Sequence, residues 1–138
     1  MVRNSKKYFY WLATAKYLIN SSTFPSFFVK KEGQIYVNTW HGTPLKSMGY
    51  RISDDLSVSQ NVVRNFLMTD FLLASNSIMT NMYLEDYKLK NLYSGEILEA
   101  GSPRIDWTIN YPKEAVYQDL RSLGLKFDEK LASILYCP

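Results

Sequence analysis

One cysteine, Cys137, and one histidine, His41, are all that the 138-residue chain offers of the two residue types that most often bind metals or form cross-links. An internal disulfide is excluded, and the usual zinc ligand set cannot be assembled from one of each. The lone thiol fits a reducing cytosolic compartment. No run of apolar residues approaches the length needed to span a bilayer, and the basic N-terminus leads into polar and charged residues rather than a signal-peptide core. Any membrane contact is therefore expected to be peripheral. Neither GxGxxG nor GxxxxGK(S/T) occurs, so no nucleotide-binding glycine loop is present, and GxSxG is also missing, which removes the main signature of serine hydrolysis. The excess of 16 Lys plus Arg over 13 Asp plus Glu, a formal +3, helps attract phosphorylated ligands but is too small to indicate a nucleic-acid binder.

What the chain has is hydrophobic and aromatic mass: 46% of residues are hydrophobic, with 11 Tyr, 7 Phe and 3 Trp, enough for the core of one domain. From Lys7 to Ile19 the residues Tyr8, Trp11, Leu12, Ala15, Leu18 and Ile19 recur at helical spacing, which predicts one amphipathic helix stopped by Asn20-Ser21-Ser22-Thr23. The sequon Asn20-Ser21-Ser22 is read as the polar end of that helix. Pro25 makes the following segment extended or turned, and Lys30-Lys31-Glu32-Gly33 is a turn before a short strand, Gln34 to Asn38.

Further along, Ser59 to Met68 reads as a helix burying Val62, Val63, Phe66 and Leu67, and Phe71 to Ala74 as a buried parallel strand. A helix over Ile78 to Tyr87 follows, then a strand from Glu96 to Ala100, a break at Gly101-Ser102-Pro103-Arg104, and a helix from Lys113 to Leu123 introduced by Pro112. Ala132 to Tyr136 is the last strand-like run. Strands alternating with helices predict an α/β fold with an incomplete Rossmann-like parallel sheet covered on both faces.

Three segments carry candidate chemistry. His41 lies between a strand end and a Gly-Thr-Pro turn, where an imidazole acts either as a neutral-pH base or as a structural loop residue. Asp54, Asp55, Asp70 and Asp106 are the carboxylates that can orient it. Gly42, Thr43 and Lys46 together suit a phosphate beside His41, or simply shape a solvated turn. After the next strands, Ser75 and Asn76 either face the same crevice or cap a helix, while Arg104 and Asp106 form a phosphate clamp with a hydroxyl partner or a surface ion pair. A cluster of aromatics from Tyr8 to Trp11 with Phe24, Phe27 and Phe28, flanked by lysines, serves either the core or an anionic membrane surface.

Read together, Ala13-Thr14-Ala15-Lys16-Tyr17-Leu18-Ile19-Asn20-Ser21-Ser22, Thr39-Trp40-His41-Gly42-Thr43-Pro44-Leu45-Lys46-Ser47-Met48-Gly49, Gly101-Ser102-Pro103-Arg104-Ile105-Asp106 and Ile134-Leu135-Tyr136-Cys137-Pro138 resemble the CDP-glycerol glycerophosphotransferase family, the teichoic acid primases and polymerases. The resemblance implies part of the N-terminal domain of a GT-B type transferase, with no resident cofactor firmly expected and CDP-glycerol or CDP-ribitol as donor. It implies His41 as general base toward a lipid-linked polyol-phosphate acceptor at the cytoplasmic membrane face. It further implies that residues 1–138 are an acceptor-side segment without the opening strands or the C-terminal donor domain of the family. Such a segment is expected to be inactive alone, and is either one part of an enzyme whose C-terminal half is separately encoded or a noncatalytic remnant that binds acceptor or membrane.

Overall fold

The computed structural model describes residues 4–53, 55 and 57–126, which fall into two compact units divided after Pro103. The first is built on four strands, β1 (Tyr17–Asn20), β2 (Ile35–Asn38), β3 (Phe71–Ala74) and β4 (Glu96–Glu99). They form one sheet in the order β1-β2-β3-β4, with every neighbouring pair parallel. The helices of this unit are α1 (Lys6–Thr14), α2 (Gln60–Leu67) and α3 (Ser77–Asn81), the last continued by a π-helical turn, Met82–Asp86. A 3-10 turn, Gly49–Arg51, lies between β2 and α2.

Parallel register puts paired residues on the same face, and the buried side chains of the strands share one: Leu18 pairs with Tyr36, and Asn38 with Leu72. On that face Trp40, Phe66, Leu72, Ala74, Met79 and Tyr83 belong to one cluster, and Leu18, Phe28 and Tyr36 to a second. Each fully buried Phe or Leu contributes about 1.5–3 kcal/mol relative to an exposed one. Coverage of both faces, expected for a parallel sheet, is not met at the β1 edge, where Ile19 on the opposite face is 72% exposed.

The single helix expected from Lys7 to Ile19 is instead a helix and a strand. Ser5 starts α1 by accepting the Tyr8 N–H at 3.2 Å, but Ala15 is already extended. The Gln34 amide donates to the carbonyls of Leu12, at 3.1 Å, and Ala15, at 2.8 Å, satisfying acceptors that a continuing helix would have used. Tyr17 to Asn20 then pairs with β2. Helical spacing could not reveal this, because the β-forming run Tyr17-Leu18-Ile19 continues the same apolar rhythm. Trp11, expected to face the core, is consequently 47% exposed, while Leu12 and Ala15 pack against the second cluster. Leu67, expected on the buried side of its helix, is exposed too.

In the second unit α4 (Pro103–Asn110) and α5 (Lys113–Ser122) are both helical. Pro103 is the first residue of α4, where its missing N–H costs nothing, so the break expected at Gly101-Ser102-Pro103-Arg104 already ends at Ser102. The strand expected at Ala132 to Tyr136 lies outside the described residues.

Candidate functional site

Beyond the C-terminal edge of β2 the chain turns sharply, and the turn is held from beneath by a buried asparagine. Asn38 accepts the Trp40 N–H at 2.8 Å through its side-chain oxygen, while its amide donates to the Ser22 carbonyl at 2.9 Å and to the Tyr36 hydroxyl at 3.1 Å. Burial pushes the Tyr36 phenol up to about 12, though Asn38 and Asn20 pull it the other way, so it stays neutral and completes the network with a 3.4 Å bond to Asn65. The Thr39 N–H bonds the Asn20 carbonyl at 3.0 Å, tying the exits of β1 and β2 together.

Trp40 takes a left-handed conformation, φ 49°, which for a tryptophan costs about 1–3 kcal/mol and persists only where surrounding packing enforces it. Its ring is buried edge-on against Phe66 and Tyr87, and its indole N–H has no hydrogen-bond acceptor among the described residues. The next residue, His41, is exposed and stacks on that ring with centroids 4.0 Å apart. The imidazole thus rests on a fixed platform. Gly42 then adopts φ 131° with open space around it.

The far end of the loop is pinned as firmly. Gly49 is buried at φ 60°, and a Cβ there would lie 2.4 Å from the Asp86 carbonyl oxygen. Met48 packs against the larger cluster. Between these anchors Thr43, Leu45, Lys46 and Ser47 are exposed. Thr43 reaches across to the end of β3: its hydroxyl is 3.1 Å from that of Ser75 and accepts from the Asn76 amide at 3.0 Å. Asn76 also caps α3 by accepting the Met79 N–H at 3.1 Å, so its side chain serves the helix cap and the contact with Thr43 at once.

The structure therefore brings Gly42, Thr43, Ser75 and Asn76 together with His41 at one edge of the sheet, with Lys46 on the same exposed loop. Gly101 and Ser102 leave β4 at that edge, whereas Arg104 and Asp106 belong to the second unit, on α4. Asp70 does not orient His41. It precedes β3, at the opposite end of the strands, where it takes the Tyr36 N–H at 2.7 Å and pairs with Lys30 at 2.5 Å. Burial raises its carboxyl, but the Lys30 and Tyr36 hydrogen bonds outweigh this and hold it below the ordinary carboxylate range. Asp54 lies outside the described residues.

Two features at the His41 edge were not expected. Asn20, Ser22 and Thr23, read as a helix stop, line with Tyr8 and Phe24 a cavity of about 360 Å³ just past β1. Asn38 and Gly49 hold the loop without belonging to its exposed part. An asparagine closing an apolar strand, and a glycine ending a motif rather than sitting beside its histidine, were the available signals.

The family model for CDP-glycerol:poly(glycerophosphate) glycerophosphotransferases matches residues 1–138. The teichoic acid poly(glycerol phosphate) polymerase of Bacillus spizizenii is 31% identical, over 99% of this chain and 35% of its own length. That of Staphylococcus epidermidis is also 31% identical, over 99% of this chain and 19% of its own. The teichoic acid glycerol-phosphate transferase of Staphylococcus aureus is 30% identical over 97% and 36%. The chain thus spans about a third or less of the length of these relatives. Among solved structures, the wall teichoic acid polymerase TagF superposes with a TM-score of 0.77 at 28% identity, covering 93% of this chain and 33% of that one. A TagF histidine-to-asparagine variant soaked with CDPG gives 0.76 at 26% identity, covering 94% and 34%. On the match along its whole length, the chain belongs to the CDP-glycerol:poly(glycerophosphate) glycerophosphotransferase family.

Proposed function

We propose that this chain is the acceptor-side segment of a glycerophosphotransferase that moves glycerol phosphate, or ribitol phosphate, from a CDP-linked donor to a hydroxyl of a lipid-linked polyol-phosphate acceptor at the cytoplasmic membrane face. The observation that carries the reading is the stacking of exposed His41 on buried Trp40 in a loop pinned at both ends. In this reading a ring nitrogen of His41 takes the proton of the acceptor hydroxyl as its oxygen attacks the distal phosphorus of the donor. The bond from that phosphorus to the bridging oxygen breaks, and CMP leaves with the electron pair. Lys46 meets the charge on the transferring phosphoryl group, Gly42 permits close approach of the backbone, and Thr43, Ser75 and Asn76 offer hydroxyl and amide groups to acceptor oxygens. Arg104 and Asp106, by their side-chain chemistry, suit a phosphate clamp and its hydroxyl partner. The polar cavity beside Asn20 suits a polyol phosphate of the acceptor.

Residues 1–138 correspond to about a third of TagF, so the reading assigns the donor pocket to sequence beyond them, in the same polypeptide or in a separate one. In the assembled enzyme His41→Ala should lower turnover about 10²- to 10⁴-fold with little change in donor binding, because loss of a base acts on the transition state. Labelled donor and lipid-linked acceptor measure this directly. The 138-residue chain alone should transfer nothing, and should gain activity when the remaining family sequence is added. Unchanged turnover of a folded His41→Ala enzyme eliminates the base assignment. A folded pair that fails to react points to a noncatalytic remnant.

A further inference from the structure

Arg64, on α2, is a cation that the fold leaves half matched. Its Nη2 donates to the Phe28 carbonyl, while its Nη1 is buried and has no hydrogen-bond partner among the described residues. No carboxylate among those residues pairs with it; the ion pairs there are Lys30–Asp70, Arg51–Asp86 and Lys90–Glu85. A guanidinium withdrawn from water is ordinarily met by an anion, because otherwise it loses hydration with no compensating contact. Arg64 borders a cavity of about 460 Å³ walled by Val29 from the loop before β2 and by Val63, Leu67 and Met68 from α2 and its end. Tyr50 and Gln60 add polar atoms to the lining. Val63 packs against the larger core cluster and Met68 against the smaller, so the cavity lies over the seam between them. Val29 and Leu67 are 70% and 38% exposed, apolar surface that the core does not use. Val29 adjoins Lys30, and Met68 comes just before Asp70, which puts the cavity toward the N-terminal end of the sheet and away from His41.

We propose that this cavity binds a small carboxylate with an apolar body, its carboxylate on Arg64 and its hydrocarbon or aromatic part against Val29, Val63, Leu67 and Met68. The planar fork of a guanidinium matches the two oxygens of a carboxylate, and with one nitrogen committed to Phe28 another is left for a ligand oxygen. Charge selects a monoanion. Arg64 is the sole cation in the lining, so a phosphate dianion would keep an unmatched negative charge against apolar walls. The walls in turn select an acid with an apolar body over a bare inorganic ion, which would leave them in contact with water. A cavity of this volume falls within the range of about 300–1,000 Å³ typical of small-molecule sites. Tyr50 directly follows Gly49, the far anchor of the His41 loop, so an occupant in contact with Tyr50 bears on that loop from outside it. The cavity itself takes no part in the proposed transfer chemistry.

The test is titration of the 138-residue chain with 3-phenylpropionate, with its neutral amide and with inorganic phosphate, followed through the backbone amide resonances. It needs neither donor nor acceptor, so it succeeds or fails independently of catalysis. The carboxylate should saturate with a Kd of about 1 mM or tighter, shifting resonances of the cavity residues. The amide and phosphate should bind about tenfold more weakly or worse. Arg64→Gln should reduce the carboxylate to the level of the amide. Because Arg64 also holds the Phe28 carbonyl, Leu67→Glu serves as a second variant: the position is exposed, and a carboxylate fixed on the rim competes for Arg64. It should weaken binding by about tenfold or more, and unchanged thermal unfolding verifies its folding. Absence of saturable carboxylate binding overturns the proposal. So does equal binding of the amide or of phosphate, or binding that a folded Arg64→Gln chain and the Leu67→Glu chain both retain. Self-association in ultracentrifugation that Leu67→Glu abolishes, with no carboxylate bound by the monomer, assigns the cavity to a second copy and equally overturns it.

Discussion

The two ends of the sheet hold similar polar groups and use them differently. At the N-terminal end Lys30 and Asp70 close on each other, and the carboxylate also receives the Tyr36 N–H, so the charges brace strands β2 and β3. At the C-terminal end the braces are uncharged and buried, Asn38 below the loop and Gly49 at its far end, while His41 and Lys46 stand in solvent. In an open parallel sheet the crevice beyond the strand C-termini is where ligands collect. Charge turned inward to the fold at one end and outward at the other is the arrangement that this topology leads one to expect.

If this contrast is right, stability should depend most on the uncharged anchors of the His41 loop. Gly49→Ala should be the most damaging, by about 2–4 kcal/mol, because it adds a left-handed penalty to a clash with the Asp86 backbone that cannot retreat cheaply. Gly42→Ala, with no atom in the way, should cost only about 1 kcal/mol in the same denaturant titration. Equal effects would mean that the loop is not clamped onto the Met82–Asp86 turn.

Asn38→Leu keeps the volume but strands the Trp40 N–H and the Ser22 carbonyl. A loss of about 2–3 kcal/mol is expected. Because Trp40 carries His41, the same variant of an assembled enzyme should lose turnover as well as stability. Turnover at the parental value, with stability reduced, would show that the Asn38 network holds the fold but not the imidazole.

The smallest effect is predicted for the charged brace. Asp70→Asn should cost about 1 kcal/mol or less at neutral pH, since the pair is partly exposed. The folded carboxyl is held below its unfolded value of about 3.9, so its contribution is present above that pH and disappears as pH falls through the folded value. The stability difference between parent and Asp70→Asn should therefore shrink on acidification from about pH 5 downward. A difference that grows there would contradict the assigned direction.

Much of this protein was already legible in the residues themselves. The short apolar run at Phe71–Ala74, followed by capping residues, announces a parallel strand because a strand buried in a sheet has little room for polar side chains. The motif around His41 marks the candidate site because a histidine, a glycine, a hydroxyl and a lysine cluster there just after a strand. Tertiary structure alone decided the rest. Whether Tyr17-Leu18-Ile19 extends a helix or becomes β1 depends on Gln34, many residues away, taking the α1 carbonyls and on β2 offering a parallel partner. The separation of Asp70 from His41 depends on which end of a strand each occupies. Both outcomes arise from contacts distant in sequence, whereas periodicity and spacing report only what neighbouring residues share.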